Sequence, residues 1–77
     1  MTIVSTIDSR SVQCPVFLLA VNREMKKLMA NDALEVVGDD PGLLRDLIAF
    51  VKNQGKFSLR VAERDGLFKV HILLNHF

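Results

Sequence analysis

The stretch FSLRVAERDGLFKVHILL, Phe57 to Leu74, decides how the rest of the chain must be arranged. Two runs rich in β-favouring residues flank Asp65-Gly66, a strong two-residue hairpin signal. Pairing outward from that turn sets Val61 opposite Val70, Leu59 opposite Ile72 and Phe57 opposite Leu74. All six then share one face, the register expected if that face packs on helices. Ser58, Arg60, Lys69 and His71 fall on the other face, which is left for water.

Immediately upstream, GDDPG (Gly38 to Gly42) reads as a helix start. Asp40 can accept from the free backbone N–H groups, and Pro41 suits the first helical position, where its missing N–H is not needed. Leu44, Leu47, Ile48 and Val51 form the apolar stripe of this helix, and Gly55 falls where a left-handed C-terminal cap belongs. ALEVVG before it is a short strand. Further upstream, PVFLLAVNREMKKLMA has apolar residues at Leu18, Val21, Met25 and Leu28, with Arg23, Lys26 and Lys27 on the wet side. The pattern predicts a first helix that runs to Asn31-Asp32. TIVSTID, from about Thr2 to Asp8, is rich in β-branched residues and reads as a first strand.

The order is therefore β-α-β-α-β-β, without repeats, linkers or low-complexity stretches. A right-handed crossover makes the first two strands parallel neighbours and puts both helices on one side of the sheet. The expected fold is α+β: a two-layer sandwich forming a single domain over residues 1–77. Patterning alone leaves open which hairpin strand pairs with the second strand.

Composition narrows the function. The chain has 77 residues, 49% of them hydrophobic, and a formal net charge of +1. A charge so close to zero points away from direct nucleic-acid binding and from a membrane surface. No apolar run approaches a spanning length of about 20 residues. The opening MTIVSTID has neither the basic region nor the long apolar core of a signal peptide. A lone cysteine cannot form an internal disulfide, which points to a reducing, cytoplasmic setting.

That cysteine is Cys14, and it stands directly before Pro15 at the expected start of the first helix. A helix N-terminus offers unpaired N–H groups and partial positive charge, which favour a thiolate over a thiol. Arg10 adds a cation close by in sequence. A buried filler would instead be expected on the apolar stripe. His71 and His76 share no ligand spacing with Cys14, so both read as solvated histidines and no metal or cofactor is expected. Asp39 and Asp40 are explained as a loop acid and a helix cap. No general base or small-molecule pocket is evident, which argues against a turnover enzyme. A thiol that receives a group and passes it on needs neither.

IDSRSVQCP, LEVVGDDPG, the Arg45-Asp46 pair and the terminal hairpin together resemble the TusA/SirA-type sulfur carriers over nearly the whole chain, from Ile7 to about Leu74. The resemblance implies a mixed four-stranded sheet of order 1-2-4-3 with two helices on one face. It also implies a cysteine, here Cys14, that bears sulfane sulfur as a persulfide. The implied partners are a cysteine desulfurase or rhodanese-like sulfur donor and a downstream acceptor protein, in pathways of the tRNA-thiolation, molybdenum-cofactor or sulfur-oxidation type. Asp39, Asp40 and Pro41 match the family's acidic loop, and Arg45 and Asp46 its Arg-Asp pair. Two positions depart from the pattern. Phe17 replaces the second proline of Cys-Pro-x-Pro, restoring a backbone N–H and placing an aromatic ring near the helix start, and Ser11 stands where glycine is usual. The Phe17 departure sustains an alternative reading, a protein-binding or regulatory module on the same fold without sulfur transfer.

Overall fold

A computed structural model describes residues 2–10 and 16–75. Among these residues the elements are β1 (Thr2–Asp8), α1 (Val16–Met25), β2 (Asp32–Gly38), α2 (Pro41–Gln54), β3 (Phe57–Arg64) and β4 (Leu67–Leu74). They form an α+β fold whose four-stranded mixed sheet has the order β1-β2-β4-β3. β1 runs parallel to β2, while β4 is antiparallel to both β2 and β3. The sheet order expected from the resemblance is thus the observed one.

The hairpin has the register read from its turn: Val61 lies opposite Val70, Leu59 opposite Ile72 and Phe57 opposite Leu74. Asp65 and Gly66 both take positive φ, 55° and 80°, as the turn that matches strand twist requires. β3 is an edge strand, however, and its half nearer the turn is exposed. Val61 is 44% exposed, so the apolar face of β3 is covered only around Phe57 and Leu59.

One face of the sheet and both helices share a single core. Ile7, Leu34, Val36, Phe68, Val70 and Ile72 from the strands meet Phe17, Val21 and Met25 of α1 and Leu44, Leu47 and Val51 of α2. The core stripe of α1 begins at Phe17 rather than Leu18, which is only partly buried. The helix also ends at Met25, five residues before the end that its spacing predicts. The Lys27 and Leu28 N–H groups bond back only three residues, to the carbonyls of Glu24 (3.1 Å) and Met25 (3.1 Å). The Met29 N–H is taken by Asp32 Oδ2 at 3.1 Å, and Asn31 turns the chain at φ 70°. A tightened last turn followed by a side-chain acceptor stops the helix despite good helix formers beyond it.

On the helix-free face, His71 is not simply solvated. Its Nε2 lies 3.0 Å from Glu35 Oε2, and both side chains are largely buried. Thr6 Oγ1 reaches the other carboxylate oxygen at 3.5 Å. The hydrogen bond from His71 is the main reason why the Glu35 carboxyl is held below its ordinary value of 4.5. A carboxyl that ionises more readily in the folded chain than in the unfolded one stabilises the fold above its unfolded pKa and stops doing so as pH falls. Stability should therefore decline below about pH 4.5, and Glu35→Gln should flatten that acid limb in melting curves taken across pH. An unchanged slope would assign acid sensitivity to other carboxylates.

Candidate functional site

The parallel strands β1 and β2 finish at one end of the sheet, where α2 begins and the hairpin turns back. Ser9, the residue after β1, is fastened there to the end of β2. Its backbone N–H (2.8 Å) and its hydroxyl (2.9 Å) both donate to the Val37 carbonyl. Gly38 makes this approach possible. A Cβ at position 38 would collide with Ser9 Oγ and lie 2.6 Å from Phe68 Cζ, so only glycine fits between loop and ring. The chain leading toward Cys14 is thereby anchored up to Ser9.

Arg10 follows, and its charge is already engaged. Its Nη2 donates to Asp8 Oδ2 at 2.9 Å, its Nε to Asp8 Oδ1 at 3.0 Å, and its backbone N–H to the same Oδ1 at 2.9 Å. Those hydrogen bonds lower the Asp8 pKa and raise that of Arg10, with a further contribution to Arg10 from the charge of Asp39. The guanidinium is half exposed, so the pair fixes where Arg10 points more than it stabilises the fold. Arg10 and Asp39, expected at the site separately, are thus brought within electrostatic reach by the Ser9–Val37 bonds.

Asp40 caps α2 as expected. It has extended backbone angles and accepts from the Gly42 N–H at 2.9 Å, and its carbonyl takes the first helical bond, from the Leu44 N–H at 3.1 Å. Pro41 occupies the first helical position, and Gly55 closes the helix in the left-handed conformation. Asp40→Ala should therefore cost about 0.5–2 kcal/mol, read as a lower denaturation midpoint. Normal stability with lost partner transfer would instead make Asp40 a contact residue. Arg45 and Asp46 are exposed on α2 and take no part in the core.

Cys14, Pro15 and Ser11 lie outside the described residues, as does His76. α1 is described from Val16 onward. Its first turn exposes two apolar side chains, Val16 (56%) and Leu19 (67%), three residues apart on one face. Phe17, between them in sequence, is fully buried in the core. The aromatic ring expected near the helix start therefore turns inward and is a packing element. Sequence reasoning missed the roles of Ser9, Gly38 and Asp8. The two-residue spacing of Asp8 and Arg10 was the available signal for one of them, since an Asx side chain bonds readily to a backbone N–H two residues on.

The fold is a β-α-β-α-β-β sandwich, with Cys-Pro in the sequence just ahead of α1 and an Asp-capped, Pro-initiated α2 starting beside the end of β1. This is the class expected of a small thiol carrier. The chain belongs to the TusA sulfurtransferase family, whose pattern matches residues 5–73. It is 31% identical over 61 residues to a "Putative sulfur carrier protein" of Aquifex aeolicus, covering 79% of this chain but 31% of that protein. It is 30% identical over 63 residues to a protein of the same description from Neisseria meningitidis serogroup A, with 82% of this chain and 85% of that one aligned. It is 28% identical over 68 residues to the "Sulfur carrier protein TusA" of Allochromatium vinosum, covering 88% and 87% of the two chains. The chain thus spans about a third of the Aquifex protein and most of the other two. No solved structure matches it significantly. Among the described residues, no helix is long and apolar enough to cross a membrane.

Proposed function

We propose that the protein is a sulfur carrier in which Cys14 receives sulfane sulfur as a persulfide and relays it to a partner protein. The observation that carries this reading is the family match over residues 5–73, which includes the chain's one cysteine in its Cys-Pro pair. In the loading step the Cys14 thiolate attacks the terminal sulfur of a donor persulfide. A new S–S bond forms on Cys14, and the donor cysteine leaves as its thiolate. Unloading repeats the exchange, with an acceptor thiolate attacking the outer sulfur and Cys14 departing as thiolate. Each step exchanges one S–S bond for another, so neither needs an oxidant or a reductant.

The donor is a cysteine desulfurase or a rhodanese-like protein, and the acceptor is a further sulfur-accepting protein. The described structure supports such relay in two ways. Ser9 and Gly38 anchor the chain ahead of the thiol, and the exposed Val16 and Leu19 give a partner apolar surface on the helix that follows it. Intact-mass measurement after incubation with a cysteine desulfurase and cysteine tests the reading. A gain of one sulfur atom, removed by a thiol reductant, is expected. A mass that never changes with an active donor would reject loading from that donor class, and no gain with a rhodanese-type persulfide either would reject the carrier role.

A further inference from the structure

The face of the sheet away from the helices is shaped and charged, and apart from Arg10 at its rim it holds none of the residues expected at the sulfur site. A cavity of about 480 Å³ opens at its hairpin end, with Val37, Ala62 and Leu67 as apolar lining and Arg10, Arg64 and Lys69 as cations. The register explains the grouping: Val37, Lys69 and Ala62 lie side by side across three strands, and Leu67 lies opposite Arg64. Arg60, opposite His71, extends the row of cations along β3. The strand acids on this face are already occupied, Asp8 by Arg10 and Glu35 by His71. Two more acids border the cavity. Glu63 pairs with Phe68 and so belongs to the helix-covered face, and Asp65 stands in the turn, 3.8 Å from Arg64, with both side chains at least 90% exposed. Arg60 has no ion-pair partner among the described residues, and Lys69, which also has none within 4.0 Å, acts on Glu35 through its charge alone.

We infer that this trough binds an extended acidic segment of a partner protein, carrying at least one apolar side chain into the Val37–Ala62–Leu67 lining. Arg60 and Arg64 are four residues apart on one strand, about 13 Å, too far for one small anion to meet both. An extended chain with two acids four residues apart on one face, and an apolar residue midway between them, spans that distance. Among the described residues the strands present no Phe, Tyr or Trp on this face, and the one imidazole, His71, is largely buried against Glu35, which favours a peptide over single-stranded nucleic acid.

A fluorescein-labelled peptide of sequence Glu-Asp-Leu-Phe-Asp-Glu, titrated with the full chain by fluorescence polarisation, tests the inference. Saturable binding is expected, weakening as salt is raised and falling by at least about tenfold in the Arg64→Glu, Lys69→Glu double variant. Both positions are exposed, and thermal melting confirms that the variant is folded. Ala62→Trp, which fills the trough without changing charge, should weaken binding as well. The Cys14→Ser protein should bind the peptide like the parent, so this result is independent of sulfur loading. No saturable binding, equal binding by the folded double variant, or tighter binding of an oligothymidylate than of the peptide would overturn the inference.

Discussion

Phe17→Ala is expected to lose about 3–5 kcal/mol of folding stability, the cost of removing a fully buried aromatic side chain and leaving a cavity. For a chain of 77 residues, whose whole stability is of the order of 4–12 kcal/mol, that loss leaves a substantial unfolded population at moderate temperature. Phe17→Leu should retain most of the packing and fall well short of that cost. Phe17→Pro, which restores the family's second proline, loses the same ring. The second residue of α1 tolerates the proline backbone, so the proline variant should resemble the alanine variant in stability. If it is instead as stable as the parent, the ring is not a core element. A test of whether the restored Phe17 N–H stabilises the Cys14 thiolate, and so lowers the thiol pKa, must therefore use variants shown to be folded, with Phe17→Leu as the control.

Cys14→Ser is expected to abolish sulfur loading completely while leaving the melting temperature near that of the parent. Serine keeps the size and a polar tip but has no thiolate to form a persulfide. Loading that persists in this variant would place the sulfur elsewhere and remove the basis of the proposed function. A variant that unfolds would make Cys14 a structural residue. Measuring secondary structure and intact mass on the same preparation separates these outcomes.

Much of the fold was legible because its strongest signals are local. Asp65-Gly66 sets the hairpin register by itself, and Asp40-Pro41 sets the start of α2. The phase of α1 was legible in Val21, Met25 and Leu28, which are all buried, but its leading residue was not. Val16 through Ala20 are five consecutive apolar residues, so sequence alone does not say which of them leads the core stripe. Its early end was hidden for a different reason: Lys26, Lys27 and Met29 are good helix formers, and the Asp32 side chain that captures the Met29 N–H is a contact, not a pattern. The Glu35–His71 pair depends on the register between β2 and β4, strands separated by a whole helix and a further strand. Gly38 read as a strand stop, and its closeness to Ser9 and Phe68 depends on elements distant in sequence.

The strand order also sets how quickly the chain can find its structure. β3 and β4 adjoin through a two-residue turn, so their pairing needs almost no loop closure. β2 has no such neighbour: its partners in β1 and β4 lie about thirty to forty residues away along the chain. The central strand is therefore the last to be rewarded by its contacts. Until it docks, the hairpin presents the unpaired edge of β4 and its apolar face to other chains. Substitutions that slow the docking of β2, at Leu34 or Val36 for example, would lengthen the time for which a newly made chain can aggregate, beyond what their effect on equilibrium stability implies.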